Sequence, residues 1–181
     1  MASYPDTASI SHSYFERAQK VLSGGNSRLT TYQQPYIIYG QRGDGCRITD
    51  VDNTTRIDFL NNYTSLLHGH CHPKIVEAIR EQAGNLISIA LGTYEELKYA
   101  ELLCDRVVAF DQIRFMNSGT EAMMQAIRAA RAYTGRPMIA KCEGAYHGAY
   151  DFAEVTYATT PEVWGKGDPE PALYAKGTPK A

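Results

Sequence analysis

Apolar residues at three- and four-residue intervals mark the first element: Tyr14, Phe15, Ala18, Val21 and Leu22 give residues 11–22 one face of a helix. Ser23-Gly24-Gly25-Asn26-Ser27 then breaks the rhythm, as Gly, Asn and Ser do where a helix gives way to a loop. Three short β-type runs follow at residues 36–39, 46–51 and 56–60. Turn sequences Arg42-Gly43-Asp44-Gly45 and Asp52-Asn53-Thr54 separate them, which predicts a small antiparallel meander. Helical spacing returns at residues 73–83, with Pro73 at the first helical position and Ile75, Val76, Ile79 and Ala83 on one side. Residues 95–108 repeat the pattern with Leu97, Ala100, Cys104 and Val107.

From Gln112 the pattern changes. Residues 112–116 read as a strand, Asn117-Ser118-Gly119-Thr120 as a turn, and 121–133 as a helix burying Ala122, Met123, Ala126, Ile127 and Ala130. Gly135-Arg136-Pro137 closes that helix, and residues 138–142 form the next strand. A strand–helix–strand of this length predicts a βαβ unit with parallel strands, hence an α/β fold. Beyond Tyr157 the chain is rich in Pro and Gly, and residues 158–181 are expected to form an extended, poorly packed tail. The expected organisation is residues 1–60 as N-terminal helix and meander, 61–157 as the start of a larger domain, and 158–181 as that tail.

Composition narrows the class. At 181 residues the chain suits one domain or most of one, able to bury roughly 70% of its unfolded surface. With 44% hydrophobic and 21% charged residues it is neither disordered nor fibrous. A net charge of −2 gives no basic footprint for nucleic acid or anionic lipid. No apolar run approaches the ~18 residues of a membrane span, and no secretory leader is visible at the N-terminus. The scattered Cys46, Cys71, Cys104 and Cys142 read as reduced thiols, so a cytoplasmic location is expected.

Four segments carry candidate chemistry. Where Ser118-Gly119-Thr120 ends a strand and opens a helix, unpaired N–H groups and the helix dipole favour a phosphate. An ordinary N-cap explains the same residues, and spacing alone leaves both readings open. Glu143-Gly144-Ala145-Tyr146-His147-Gly148 follows the next strand, at the same sheet edge, where α/β folds bind ligands. Tyr146 and His147 can there lie over whatever the turn holds, although a surface loop with incidental aromatics is the plain alternative. His68, His70, Cys71 and His72 invite a zinc reading, but four ligands from one short segment strain a tetrahedral site, so a loop is preferred and no metal is expected. Ser23-Gly24-Gly25-Asn26-Ser27-Arg28 lacks the lysine and spacing of a Walker loop and reads as a loop that places Arg28 at a carboxylate.

Taken in order, LSGGNSR, GDGCRITDVDNTTRIDF, NNYTSLLHGHCHP, IRFMNSGTEAMMQAIRAARAYTGRP and EGAYHGAYD resemble the class III, fold-type I aminotransferases that depend on pyridoxal 5'-phosphate (PLP). These stretches cover most of residues 22–152. The resemblance is nearest to the branch of glutamate-1-semialdehyde 2,1-aminomutase-like and D-phenylglycine aminotransferase-like enzymes. It implies that Ser118, Gly119 and Thr120 bind the PLP phosphate, that Tyr146 stacks on the pyridine ring with His147 beside it, and that Arg28 binds a substrate carboxylate. Asn53 stands where the family usually has glycine, a harmless change because Asn tolerates left-handed backbone.

The resemblance also implies a longer chain. Lys20, Lys74, Lys98, Lys141, Lys166, Lys176 and Lys180 are the lysines present, and none sits in the sequence context of the family's Schiff-base lysine. The expectation is therefore the N-terminal portion of the fold: helix and meander, then the start of the large, mostly parallel-sheet domain. Alone it should be inactive, hold PLP weakly or not at all, and leave apolar surface uncovered. The complete enzyme would be a homodimer acting on an amino acid and a keto or carbonyl compound, with neither nucleic acid nor membrane as partner. A non-catalytic partner of a full-length paralogue is the alternative.

Overall fold

The computed structural model describes residues 4–28, 31–157 and 177, and its internal contacts divide the chain into two units, Met1–Leu91 and Gly92–Ala181. In the first unit, α1 spans Ile10–Ala18 and starts at Ser9, whose side chain accepts from the His12 amide. A second cap comes from a distant turn: Asp52 accepts from the Ile10 amide at 2.6 Å, the Ser11 amide at 3.1 Å and the Ser11 hydroxyl at 2.7 Å. The helix ends at Ala18 rather than at residue 22. Lys20 and Val21 bond to carbonyls three residues back, tightening the chain. Of the expected stripe only Phe15 and Ala18 are buried, while Val21 is 81% exposed.

The antiparallel meander is present as β1 (Gly40–Asp44), β2 (Arg47–Asp50) and β3 (Thr55–Ile57), in that order. Its first strand lies downstream of the expected run at 36–39, and the Arg42-Gly43-Asp44-Gly45 turn contracts to Gly45 and Cys46. The reason is Tyr36, which is drawn into the core ahead of α1. Its hydroxyl accepts from the Asp6 amide at 2.6 Å and donates to the Asp6 carbonyl at 2.8 Å, and its ring meets Tyr4 and His12. The β2–β3 turn is tied by Asp50, which accepts from the amides of Asp52 and Thr54 and from the Arg56 guanidinium. Asn53 has φ of 60°, the left-handed backbone expected of it.

After β3 the chain makes one left-handed helical turn, α2 (Asn61–Thr64), with positive φ at all four residues. Such backbone is costly for L-residues, so surrounding bonds must hold it. Asp58 supplies two of them, accepting from the amides of Leu60 and Asn61. The same carboxylate takes the His70 ring at 2.7 Å, and His70 pairs its backbone with Gly45. The amide and ring contacts hold the Asp58 carboxyl below its ordinary value, the Asn61 amide first and the His70 ring next. α3 (Pro73–Asn85) follows with Pro at its start.

In the second unit α4 (Tyr94–Arg106) is capped by Thr93, α5 spans Gly119–Thr134 and ends at left-handed Gly135, and a short α6 covers Asp151–Glu154. One aromatic pair, Tyr99 on Phe115 at 5.2 Å, ties α4 to the stretch before α5. Residues 112–116 and 138–142 flank α5 as expected but carry no ladder bonds among the described residues, so no parallel sheet forms there. A strand exists only with a partner, and these two segments do not pair with each other.

The absent sheet also explains the helix surfaces. Ile75 and Ile79 of α3 and Leu97 of α4 are exposed by 42%, 62% and 52%, and only Ile127 of α5 is buried. The apolar faces are expected to point into a core, but the described residues form no parallel sheet, only the antiparallel β1–β2–β3. The expected tail, residues 158–181, lies outside the described residues apart from Gly177.

Burial opposes the charge on Asp52, but its bonds from the Ser11 hydroxyl and the Ile10 and Ser11 amides, aided by Arg56, outweigh it and hold the carboxyl below its ordinary value of 3.8. Its stabilising contribution is thus complete above that value and disappears as pH falls through the lower folded-state value. Asp52→Ala should lower unfolding stability near pH 7 by about 1–3 kcal/mol. In circular-dichroism melts the difference from wild type should shrink as pH falls below about 4. An unchanged melt at pH 7 would show that α1 does not depend on this cap.

Candidate functional site

The opening of α5 is organised by reciprocal capping. Ser118 is the N-cap, and its hydroxyl accepts from the Glu121 amide at 3.2 Å. The Glu121 carboxylate reaches back to accept from the Asn117 amide at 2.9 Å. The ordinary N-cap reading is therefore correct as far as it goes. It does not account for the next two amides. The N–H groups of Gly119 and Thr120 have no acceptor among the described residues, and a Cβ built at Gly119 would meet nothing within 4 Å. Two donors without an acceptor among the described residues thus stand at the positive end of a sixteen-residue helix.

The loop after residue 142 closes over that opening. Gly148 has φ of 95°, and a Cβ there would sit 2.8 Å from both Cα and Oγ1 of Thr120. Only glycine permits this approach. It brings the Ala149 amide to 3.1 Å from Thr120 Oγ1, which accepts the bond. Ser118 and Thr120 each use their hydroxyl oxygen as an acceptor, so each keeps its own proton for an incoming ligand.

Ser118, Gly119, Thr120, Met123, Tyr146, His147 and Gly148 line one concavity of about 380 Å³. Five of these are the residues singled out from sequence. Met123 and Gly148 were not: Met123 was read as helix core and Gly148 as part of the loop, although its place beside Tyr146-His147 was a signal. The Tyr146 ring is 57% exposed and rests against Tyr157 at 4.8 Å, tilted by 59°. Beneath the loop, the Gly144 amide donates to the Thr156 carbonyl at 2.8 Å and Lys141 Nζ donates to the Val155 carbonyl at 2.6 Å. Burial pushes the Lys141 ammonium below its ordinary value, against the opposing pull of Glu143 and Cys142.

Arg28 belongs to the first unit. Its guanidinium donates to Asn62 Oδ1 at 3.4 Å and lies over the Tyr63 ring at 5.8 Å, on the left-handed turn. The histidine segment behaves as a structural brace: His70 binds Asp58, and His68 and His72 face each other at 5.4 Å. Among the described residues no three His, Cys, Asp or Glu side chains gather as a metal ligand set. No helix among them is long and apolar enough to cross a membrane.

The free amides at Gly119 and Thr120, the two available hydroxyl protons and the exposed aromatic ring fit a phosphate joined to a flat ring. Comparison with known proteins gives the family. A profile for aminotransferase class-III matches residues 30–163. Glutamate-1-semialdehyde 2,1-aminomutase of Methanothermobacter thermautotrophicus is 42% identical over 145 residues, covering 80% of this chain and 34% of that protein. An omega-transaminase from Sphaerobacter thermophilus superposes with a TM-score of 0.92 at 50% identity, over 97% of this chain and 40% of that one. A transaminase solved with PLP bound superposes at 0.84 and 46% identity, over 95% of this chain and 40% of its own. The chain therefore spans about a third of the length of the curated relatives it matches.

Gly148→Ala should force the loop off α5 and free the Ala149 amide. Its hydrogen–deuterium exchange should accelerate, and stability should fall by about 1–3 kcal/mol. Wild-type protection at Ala149 in this variant would show that the close approach is not what holds the loop.

Proposed function

The chain belongs to the class-III aminotransferase family, and from that membership we propose that it carries the phosphate cradle and ring platform of a PLP-dependent aminotransferase or aminomutase. The reaction would move an amino group between an amino acid and a carbonyl compound. The observation that carries the reading is the pair of unpartnered amides at Gly119 and Thr120 facing the Tyr146-His147 loop across one concavity.

When bound, PLP supplies the electron sink that makes a substrate's α-proton removable. The chain's own residues bind and orient. The amides of Gly119 and Thr120 donate to phosphate oxygens, and the hydroxyls of Ser118 and Thr120 add their free protons. The α5 dipole favours the phosphate's charge by up to about 2 kcal/mol. Tyr146 offers an exposed ring face to the pyridine, with His147 beside it and Met123 as apolar lining. Arg28, steadied by Asn62 and Tyr63, is the proposed ligand for a substrate carboxylate.

The same geometry argues against turnover by these 181 residues alone. Among the described residues no lysine lines the concavity, and Lys141, the nearest in sequence, has its ammonium on the Val155 carbonyl. Charged hydrogen bonds worth about 1.5–3 kcal/mol each and stacking worth about 0.5–1.5 compete with an association cost of about 4–15. Binding by this chain should accordingly be weak, and the whole enzyme's substrates and homodimeric assembly remain part of the proposal. The uncovered apolar faces of α3 and α4 favour a second reading, a non-catalytic partner of a longer paralogue. Recovery of the isolated chain as a soluble monomer would count against it.

In titrations with pyridoxamine 5'-phosphate, Tyr146→Ala should weaken binding roughly two- to ten-fold and Ser118→Ala by a few-fold. Unchanged affinity in both variants would remove the site assignment. With added PLP, an amino donor and a carbonyl acceptor, the 181-residue chain should show no transamination above background.

A further inference from the structure

The Tyr146 ring meets a second ring from outside its own loop, that of Tyr157. The bonds that fix that loop from below come from the short stretch after α6, where Val155, Thr156 and Tyr157 each meet a different part of it. Val155 accepts from Lys141 ahead of the loop, Thr156 accepts from Gly144 at its bend, and Tyr157 lays its ring against Tyr146 at 4.8 Å. The stretch is itself turned sharply: Thr156 has φ of 59°, and the Tyr157 amide closes back onto the Glu154 carbonyl. Non-glycine backbone of this kind persists where neighbouring contacts fix it. The two backbone-directed bonds join the base and bend of the loop to this stretch, and the ring contact joins Tyr146 to it.

We propose that Tyr157 is a positioning residue for the ring-stacking side chain: it buttresses Tyr146 so that the exposed face is presented to the flat ring of a phosphorylated pyridine ligand. The inference rests on the reading of the Gly119–Tyr146 concavity given above and extends it to a residue outside that concavity. A tilted aromatic pair needs only the second ring, not its hydroxyl. Tyr157→Phe should therefore preserve the effect and Tyr157→Ala should remove it. The phosphate end of the ligand is held by α5, which Tyr157 does not cap, so loss of the buttress should act on the ring half alone.

The test is a pair of NMR-monitored titrations of the 181-residue chain, one with pyridoxamine 5'-phosphate and one with inorganic phosphate. The amine form avoids spurious imine formation with surface lysines. Tyr157→Ala should bind pyridoxamine 5'-phosphate roughly two- to ten-fold more weakly than wild type, bind inorganic phosphate equally well, and be restored by Tyr157→Phe. If Tyr157→Ala matches wild type for both ligands while Tyr146→Ala is weakened, the buttress is overturned and the site reading stands. Equal loss of both ligands in Tyr157→Ala would make Tyr157 a general loop support and overturn the ring-specific role. If Tyr146→Ala itself leaves pyridoxamine 5'-phosphate affinity unchanged, the site reading fails and this inference with it.

Discussion

The first turn of a helix leaves amides that the helix cannot satisfy, and in α5 that deficit shapes everything around it. Ser118 accepts the Glu121 amide and the Glu121 carboxylate accepts the Asn117 amide, while the amides of Gly119 and Thr120 have no acceptor among the described residues. Thr120 then accepts the Ala149 amide, which is possible only because Gly148 has no side chain to keep the loop away. One local shortage thus fixes the helix cap, the loop approach and the concavity between them.

The first unit is held by a different device. Its fully buried interior is small, and three carboxylates do much of the organising. Asp50 ties the β2–β3 turn and the Arg56 guanidinium, Asp52 caps α1, and Asp58 joins the left-handed turn to His70. Asp50 and Asp58 each join backbone amides to a further side chain, Arg56 and His70, and Asp52 ties the β2–β3 turn to the start of α1. Asp50 is 5% exposed, which such a charge tolerates because its oxygens are met by two amides and a guanidinium.

Uncovered helix faces follow from the same physics as the site. α3 and α4 have the spacing of helices that cover a sheet, yet Ile79 and Leu97 face solvent. The segment shared with the curated relatives is about a third of their length, and the chain's apolar faces have the character of surfaces made to be covered. A cradle of this kind can be well formed locally while the walls that would make it tight belong elsewhere.

Local rules were legible in the sequence. Ser118, Pro73 and Gly135 mark helix ends because caps act within a few residues, and α3, α4 and α5 fall within two residues of their expected bounds. The turn at Asn53 and the antiparallel meander were readable for the same reason. The glycine-flanked Tyr-His pair and the Ser-Gly-Thr turn were recognisable as candidates, and the ordered resemblance pointed to a PLP family. Only the tertiary structure decided what depends on distant partners. It shifted β1 downstream because Tyr36 is claimed by Asp6, Tyr4 and His12, and it left residues 112–116 and 138–142 without a ladder because neither pairs with the other. It placed the His70 ring on Asp58, and it set Tyr157 against Tyr146. Helix caps and turns are fixed by bonds a few residues long, whereas strands, ring contacts and burial need neighbours whose position no local pattern encodes.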